Sequence, residues 1–410
     1  MKMISAEDPL LDKFAFSLAL FGLGAVIWTG LGQTVNFFFI GLITLCTLVL
    51  RMNHKFLIGF KGVKPLVFAS LFSTIISVLF SIDTSSKASS IRENYLSASF
   101  QILSDSNVNP IVSLLKWIIS LYVLPTFIIT IRKISSKKYE LMLIVWIISV
   151  SLSALSGILQ KFGFFPLSKY LNQTGVSSGR FAGLSNHPNT QACLMCLSLP
   201  ILLILFRRNS LRLRWFIFLG ILFEFSIFLS GSRNGILCSV LIIISIAVRN
   251  YGLLGGSSIA ATRTAIIMFL ILLMYFFGLI KYVLQNTRLG LNIGNTEIDE
   301  SSQGRLALLR YGFQIFMNFP FTGIGPSVLK TFHNIYLQIA GSFGIVGLIA
   351  FINYVKNLLR LESELEHRFE YRLIVYVFLG YGFFNNNLAD FYLYFPLGLC
   401  YSTLDSQTTK

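Results

Sequence analysis

Four histidines and a few arginines are the residues of this chain whose type and placement suit chemistry. His54 and His367 fall in basic stretches and read as solvated. His187 and His333 each fall at the mouth of an apolar run. A neutral imidazole at a membrane–water boundary can take a proton from a hydroxyl at neutral pH. His187 belongs to the string Gly179-Arg180-Phe181-Ala182-Gly183-Leu184-Ser185-Asn186-His187-Pro188-Asn189. There Pro188 suits the first turn of a helix, and Asn186 suits a cap just before it. His333 stands in Thr331-Phe332-His333-Asn334, directly ahead of another apolar run.

Among the cations, Arg233 stands out. The string Ser230-Gly231-Ser232-Arg233-Asn234-Gly235 opens an apolar run. A guanidinium beside the N–H groups of a helix start makes an anion site. Its planar fork matches two phosphate oxygens. The plainer reading is an arginine snorkelling to lipid headgroups. Three charges fall inside apolar runs: Lys116, Glu224 and Asp390. Intramembrane charges are costly and need a partner or a water-filled cavity. Asp390 follows Asn385-Asn386-Asn387 and is placed to orient His333 or to pair with Arg233, whereas Glu224 lies deeper and could pair with Lys116.

Glu297, Asp299 and Glu300 offer ligands for a metal, but their surroundings read more simply as a solvated loop, and no metal site is expected. Cys193 and Cys196, one helical turn apart, have no His, Cys or carboxylate nearby to complete a metal set and read as packing residues. All five cysteines lie in apolar runs, and their odd number argues against a disulfide framework.

The elements that must position these groups follow from composition. The chain has 410 residues, 54% hydrophobic and 12% charged, with 39 phenylalanines. A soluble domain carries roughly 25% charge, so this chain has too little polar surface to cover a water-soluble globule. The net charge of +16 is spread between apolar runs instead of forming one patch, which argues against nucleic-acid binding. The apolar runs predict twelve membrane spans, near 14–31, 35–50, 65–82, 111–130, 141–160, 189–206, 215–230, 232–248, 264–283, 335–355, 371–385 and 388–404. The first reads as a retained helix and not as a signal peptide.

Every even-numbered connection is basic: Arg51 to Lys64, Arg132 to Lys138, Arg207 to Arg214, Arg249 to Arg263, and Lys356 to Arg372. By the positive-inside rule these face the cytoplasm, with both termini. The long connections 161–188 and 284–334 are then external. They nevertheless hold Arg180, Arg288, Arg305, Arg310 and Lys330, and Arg233 lies on the same side. Those residues oppose the topological bias, so another requirement holds them there. After Gln303-Gly304-Arg305, the apolar residues Leu306, Leu309, Phe313 and Phe316 recur at helical spacing and predict a short amphipathic helix on the outer leaflet. Gly255-Gly256-Ser257-Ser258 reads as a cytoplasmic turn and not as a phosphate loop.

The external segments together resemble the O-antigen ligase and polysaccharide polymerase superfamily of bacterial membrane glycosyltransferases. The matching pieces are R-x-x-G-x-x-x-H-P-N from Arg180 to Asn189, Ser232-Arg233, Gly304-Arg305, Pro320-Phe321-Thr322-Gly323-Ile324-Gly325, and His333-Asn334 followed by Gly341 and Gly344-Ile345-Val346-Gly347. They occur in the family's order. The resemblance implies an all-α, GT-C-like protein of the bacterial inner membrane with a periplasmic active site. It implies three regions: N-terminal transmembrane helices over 1–140, a ligase-like core over 141–355, and C-terminal transmembrane helices over 356–410.

The resemblance further implies transfer of a glycan from an undecaprenyl-pyrophosphate carrier to a hydroxyl. The acceptor is lipid A–core or a second carrier-linked glycan, and the reaction is inverting and needs no metal or cofactor. Carried over, Arg233 and Arg305 contact the pyrophosphate and Arg180 adds a further phosphate contact. His333 activates the acceptor hydroxyl, and His187, Asn334 and Asp390 complete the substrate-binding set. Family ligases often place an acid soon after the His-Asn pair, whereas Ile335 follows here, so ligase and polymerase both stay open. The competing class is a transporter or flippase for a glycolipid or small anion, which twelve spans and a mid-membrane Lys116–Glu224 pair would suit.

Overall fold

In the computed structural model the described residues are 9–54, 63–79, 87, 89–93, 110–164, 169–174, 176, 180–253, 300–326, 332–361, 367–385, 388 and 390–401. The expected span at 264–283, the Gly255–Ser258 turn, Arg288, Glu297, Asp299 and Lys330 lie outside them. The described residues fold into helices without a strand. These are α1 (Pro9–Val26), a 3-10 turn (Thr29–Leu31), α2 (Gln33–His54), α3 (Val63–Leu79), α4 (Pro110–Ile134), α5 (Ser136–Lys161), α6 (Pro188–Arg207), α7 (Leu213–Ser230), α8 (Arg233–Leu253), α9 (Glu300–Asn318), α10 (Ile335–Leu361), α11 (Arg368–Gly382) and α12 (Phe391–Leu399).

Seven helices among the described residues are long and apolar enough to cross a membrane: α1, α2, α4, α5, α6, α7 and α10. With the composition, this makes the protein a multi-pass membrane protein. Shorter apolar helices run over Val63–Ile76 and Arg233–Ala247. α11 has 15 residues, as many as the expected span at 371–385, whereas α12, with 9, is shorter than the expected span at 388–404. α6 is the most enclosed of the long helices. It packs against α5, α7, α8, α11 and α12, which explains why its small and thiol residues, Ala192, Cys193 and Cys196, face neighbours and not lipid. One buried apolar cluster runs from Ala15 in α1 to Tyr401 after α12.

The two ends of this bundle differ in chemistry. At one end the basic connections converge. Arg132 donates to the carbonyls of Tyr401 and Leu399, both at 2.9 Å, and to the Tyr139 hydroxyl at 3.0 Å. Arg208 donates to His367 at 3.2 Å, and Arg207 lies 2.6 Å from the fully buried Glu370. His367, read from sequence as solvated, is therefore buried in this cluster. The other end gathers the start of α6, the turn from α7 to α8 and the start of α10.

α9 is apolar on two sides. Leu308, Tyr311 and Ile315 pack with Ile324 and Phe332. The stripe expected to meet lipid keeps Leu306 and Phe313 exposed, and Met317 joins them. The segment after α9 is clamped onto α10: Ile324 N–H donates to the Gly341 carbonyl at 2.9 Å, Gly325 N–H to the Ser342 carbonyl at 2.9 Å, and Ile345 N–H to the Pro320 carbonyl at 2.7 Å. α10 breaks at Gly344, which has φ +62°, and a Cβ there would run into the Phe321 carbonyl. The two glycine-rich strings are thus the two sides of one backbone-to-backbone crossing. That crossing sets where the chain re-emerges as Phe332-His333-Asn334.

Candidate active site

The loop before α6 is held from three directions. The Gly30 N–H donates to the Leu184 carbonyl at 2.9 Å, and the Thr29 hydroxyl meets the Asn186 side chain at 3.0 Å. The buried Gln191 accepts from Ser153 at 2.7 Å and Ser185 at 2.8 Å, and donates to Ser226 at 3.1 Å. Gln173 donates to the Gly183 carbonyl at 2.6 Å. Asn186 is therefore engaged by Thr29 and is not the helix cap expected from sequence. The cap is His187, whose Nδ1 accepts the Asn189 N–H at 3.0 Å, with Pro188 in the first turn as expected.

Asn189 joins the other members. Its side-chain oxygen accepts from Arg180 at 2.8 Å, and its carbonyl accepts from the Tyr381 hydroxyl at 2.8 Å. The Tyr381 hydroxyl also lies 3.1 Å from the Ser232 hydroxyl, one residue before Arg233. Arg180 donates through Nε to the Ser230 carbonyl at 3.0 Å. Gly231 caps α7 with φ +60°, and a Cβ on it would press against the Arg180 side chain, with Cγ at 3.2 Å. Asn189, Ser232 and Tyr381 thus tie the site together, although sequence reasoning gave them no role of their own.

Four of the expected residues come together electrostatically. Burial lowers His187 to about 4, and the charges of Arg180, His333 and Arg305 add to this in that order. Burial likewise lowers His333 to about 4, with Arg305 contributing. Both imidazoles are therefore neutral near pH 7. The Nδ1 of His333 is buried without a hydrogen-bond partner among the described residues. Asn334 caps α10, accepting the Leu337 N–H at 3.0 Å, and donates to the Phe383 carbonyl at 3.2 Å.

Two expected residues sit differently. Arg233 is exposed at the first residue of α8 and is not among the charges acting on either imidazole. Asp390 lies 2.7 Å from the Lys116 ammonium, a partner that sequence did not suggest for it. The same contact replaces the expected pairing of Lys116 with Glu224. Glu224 is buried, and among the described residues neither carboxylate oxygen meets a partner with hydrogen-bond geometry, although the Ser239 hydroxyl is its polar neighbour.

No curated protein and no solved structure matches the chain. A family model does. The matched stretch runs from within α7 to within α10 and contains Arg233, Arg305, His333 and Asn334, whereas Arg180, His187 and Asp390 lie outside it. Over residues 216–352 the chain matches the family described as O-antigen ligase, the family that its external segments resemble.

Proposed function

We propose that the protein is an inverting glycosyltransferase, either an O-antigen ligase or a polysaccharide polymerase. It takes a glycan from an undecaprenyl-pyrophosphate carrier at the periplasmic face of the bacterial inner membrane. The acceptor is a hydroxyl of lipid A–core or of a second carrier-linked glycan. Twelve spans with both termini in the cytoplasm put the basic end of the bundle inside and the histidine end outside. The observation that carries the reading is the gathering of two neutral histidines with Arg180 and Arg305 at one end of a membrane bundle.

His333 takes the proton of the acceptor hydroxyl as its oxygen attacks the anomeric carbon. The bond from that carbon to the carrier's phosphoryl oxygen breaks, and the carrier leaves as a diphosphate. Arg305, Arg233 and Arg180 stabilise the charge that develops on it. Arg180 acts from a fixed position, because Ser230 and Asn189 hold its guanidinium. Asn334 places His333 by fixing the start of α10. Asp390 reaches the substrate only as part of its pair with Lys116. That pair also dissolves the Lys116–Glu224 couple on which a transporter reading rested.

The deciding experiment is reconstitution in proteoliposomes with an undecaprenyl-pyrophosphate oligosaccharide. One arm offers lipid A–core and the other a second carrier-linked glycan. Transfer in one arm, with release of the carrier diphosphate, is expected and distinguishes ligase from polymerase. Movement of the intact donor between leaflets without glycosidic bond formation in either arm would overturn the reading.

A further inference from the structure

The two histidines of the site differ in one respect. No described hydrogen bond fixes which nitrogen of His333 carries its proton. In His187 the choice is made: Nδ1 accepts the Asn189 backbone N–H at 3.0 Å, as the cap of α6. A neutral imidazole has one N–H, and a nitrogen that accepts a hydrogen bond cannot carry it. The proton therefore sits on Nε2. Protonating Nδ1 would break the cap and place a cation beside the positive end of a helix and Arg180. Nε2–H makes no hydrogen bond within the described residues, and the two arginines acting on the ring, Arg180 and Arg305, are both positive. A ligand atom at that nitrogen must accept a hydrogen bond, and in that field an anionic oxygen is favoured.

We propose that His187 is a fixed-tautomer hydrogen-bond donor, presenting Nε2–H to a phosphoryl oxygen of the carrier diphosphate, and is not a second general base. The proposal rests on the glycosyltransferase reading above. Asn189 sets the assignment physically. Its N–H chooses the tautomer of His187, and its side-chain oxygen holds Arg180 at 2.8 Å, so one residue aims two donors at one anion. Tyr381 fixes Asn189 in turn through its carbonyl at 2.8 Å.

Two substitutions separate the donor from the cap. His187→Asn keeps a side-chain acceptor near the Nδ1 position, and Asn is among the best caps, but it loses the donor at the Nε2 position. His187→Gln carries an amide N–H near the Nε2 position and gives up the cap. The probe is undecaprenyl diphosphate itself, binding to the full-length protein in detergent, with thermal unfolding recorded alongside. His187→Asn is expected to melt with the unchanged protein yet bind the probe about tenfold to a hundredfold more weakly, the usual cost of a lost hydrogen bond to a charged group. His187→Gln is expected to melt at a lower temperature yet bind within a few-fold of the unchanged protein.

Unchanged binding by His187→Asn overturns the proposal, because capping would then be the whole role. Equal loss of binding in both variants, following their loss of thermal stability, overturns it as well. Failure of the unchanged protein to bind the probe sinks the glycosyltransferase reading itself, a separate result. Nitrogen-15 NMR of histidine-labelled protein supplies a signature that a merely structural cap need not give. The His187 ring is expected to show an Nε2–H, Nδ1-bare pattern whose Nε2 signal moves on probe addition, and an Nδ1–H pattern contradicts the proposal.

Discussion

The Lys116 ammonium lies 2.7 Å from the Asp390 carboxylate, where the start of α4 meets the start of α12. The Phe391 ring covers the ammonium at 5.3 Å from its centroid. Both side chains are largely buried, at 9% and 19% exposure, so the pair is desolvated and removal of one member leaves a charge with poor compensation. The residue after Lys116, Trp117, stacks on Phe343 with centroids 5.0 Å apart and so couples α4 to α10 beside the kink at Gly344. The pair is therefore part of what holds the site's helices in register.

Asp390→Ala is expected to destabilise the protein by about 3–5 kcal/mol, the cost of breaking a buried ion pair. Replacing both residues, Lys116→Met with Asp390→Leu, is expected to recover most of that loss. Thermal unfolding in detergent measures both. A double variant as unstable as Asp390→Ala would show that the carboxylate is held for some contact other than the lysine.

The crossing at Gly344 gives a second test. Its φ of +62° costs an L-residue roughly 1–2 kcal/mol, and the Phe321 carbonyl occupies the place of a Cβ. Gly344→Ala is expected to lower the melting temperature by several degrees and to expose the 319–326 segment to protease. Gly41→Ala, in α2 with open space around its Cβ position, is the control and is expected to be near neutral. Equal behaviour of the two would remove the crossing from the account of how His333 is placed.

Much of the helical framework was legible in the sequence, because a bilayer-length apolar run has few other physical outcomes. The runs at 111–130, 141–160, 189–206 and 335–355 correspond to α4, α5, α6 and α10. The family motifs were legible as strings, and four residues drawn from them, His187, His333, Arg180 and Arg305, lie within electrostatic reach of one another. Partnerships were not legible. Which of Asn186 and His187 caps α6 depends on Thr29, 157 residues away, which claims Asn186. Tyr381 reaches Asn189 across 192 residues, and Lys116 chooses Asp390 over Glu224 across 274. Such choices are set by tertiary packing, which neither periodicity nor residue type encodes.

The lowered histidines make stability depend on pH. His187 and His333 fall to about 4 in the folded protein, from an ordinary value near 6.5. Between those values the unfolded chain binds more protons than the folded one, so stability rises with pH across that window and is lost as pH falls toward 4. Each histidine contributes roughly 3 kcal/mol at most. Melting temperatures from about pH 7 down to about pH 4.5 are expected to fall, and to fall less in the His187→Asn, His333→Asn double variant. A double variant with an unchanged slope would assign the acid lability to other groups. The acid limb of kcat is also expected at higher pH than that of kcat/KM, because a bound diphosphate offsets the cations that hold His333 down.

The last prediction separates the arginines from the base. If Arg305 and Arg233 hold the diphosphate, Arg305→Ala and Arg233→Ala weaken donor binding or slow donor cleavage. Arg233→Lys keeps the charge and loses the forked contact, at a cost of roughly 1.5–3 kcal/mol, or about tenfold to a hundredfold in rate. Arg305 is the closer of the two to the histidines in electrostatic terms, since it alone of the pair lowers both. Its removal is therefore expected to raise the His333 value as well, and so to move the acid limb of kcat/KM upward. Arg233→Ala, at an exposed helix start, leaves that limb in place. His333→Ala behaves differently from both: donor binding persists while transfer falls by about 10²–10⁴, the usual share of general-base catalysis. The residual rate then rises with pH as the acceptor hydroxyl ionises without help. Single-turnover transfer and equilibrium donor binding, measured on all four variants across pH, distinguish these outcomes. Loss of donor binding in His333→Ala with an unaltered pH profile would make His333 a phosphate contact. Since the Nδ1 of His187 is engaged by Asn189 and Asp390 is engaged by Lys116, the base would then have to come from the acceptor's own surroundings.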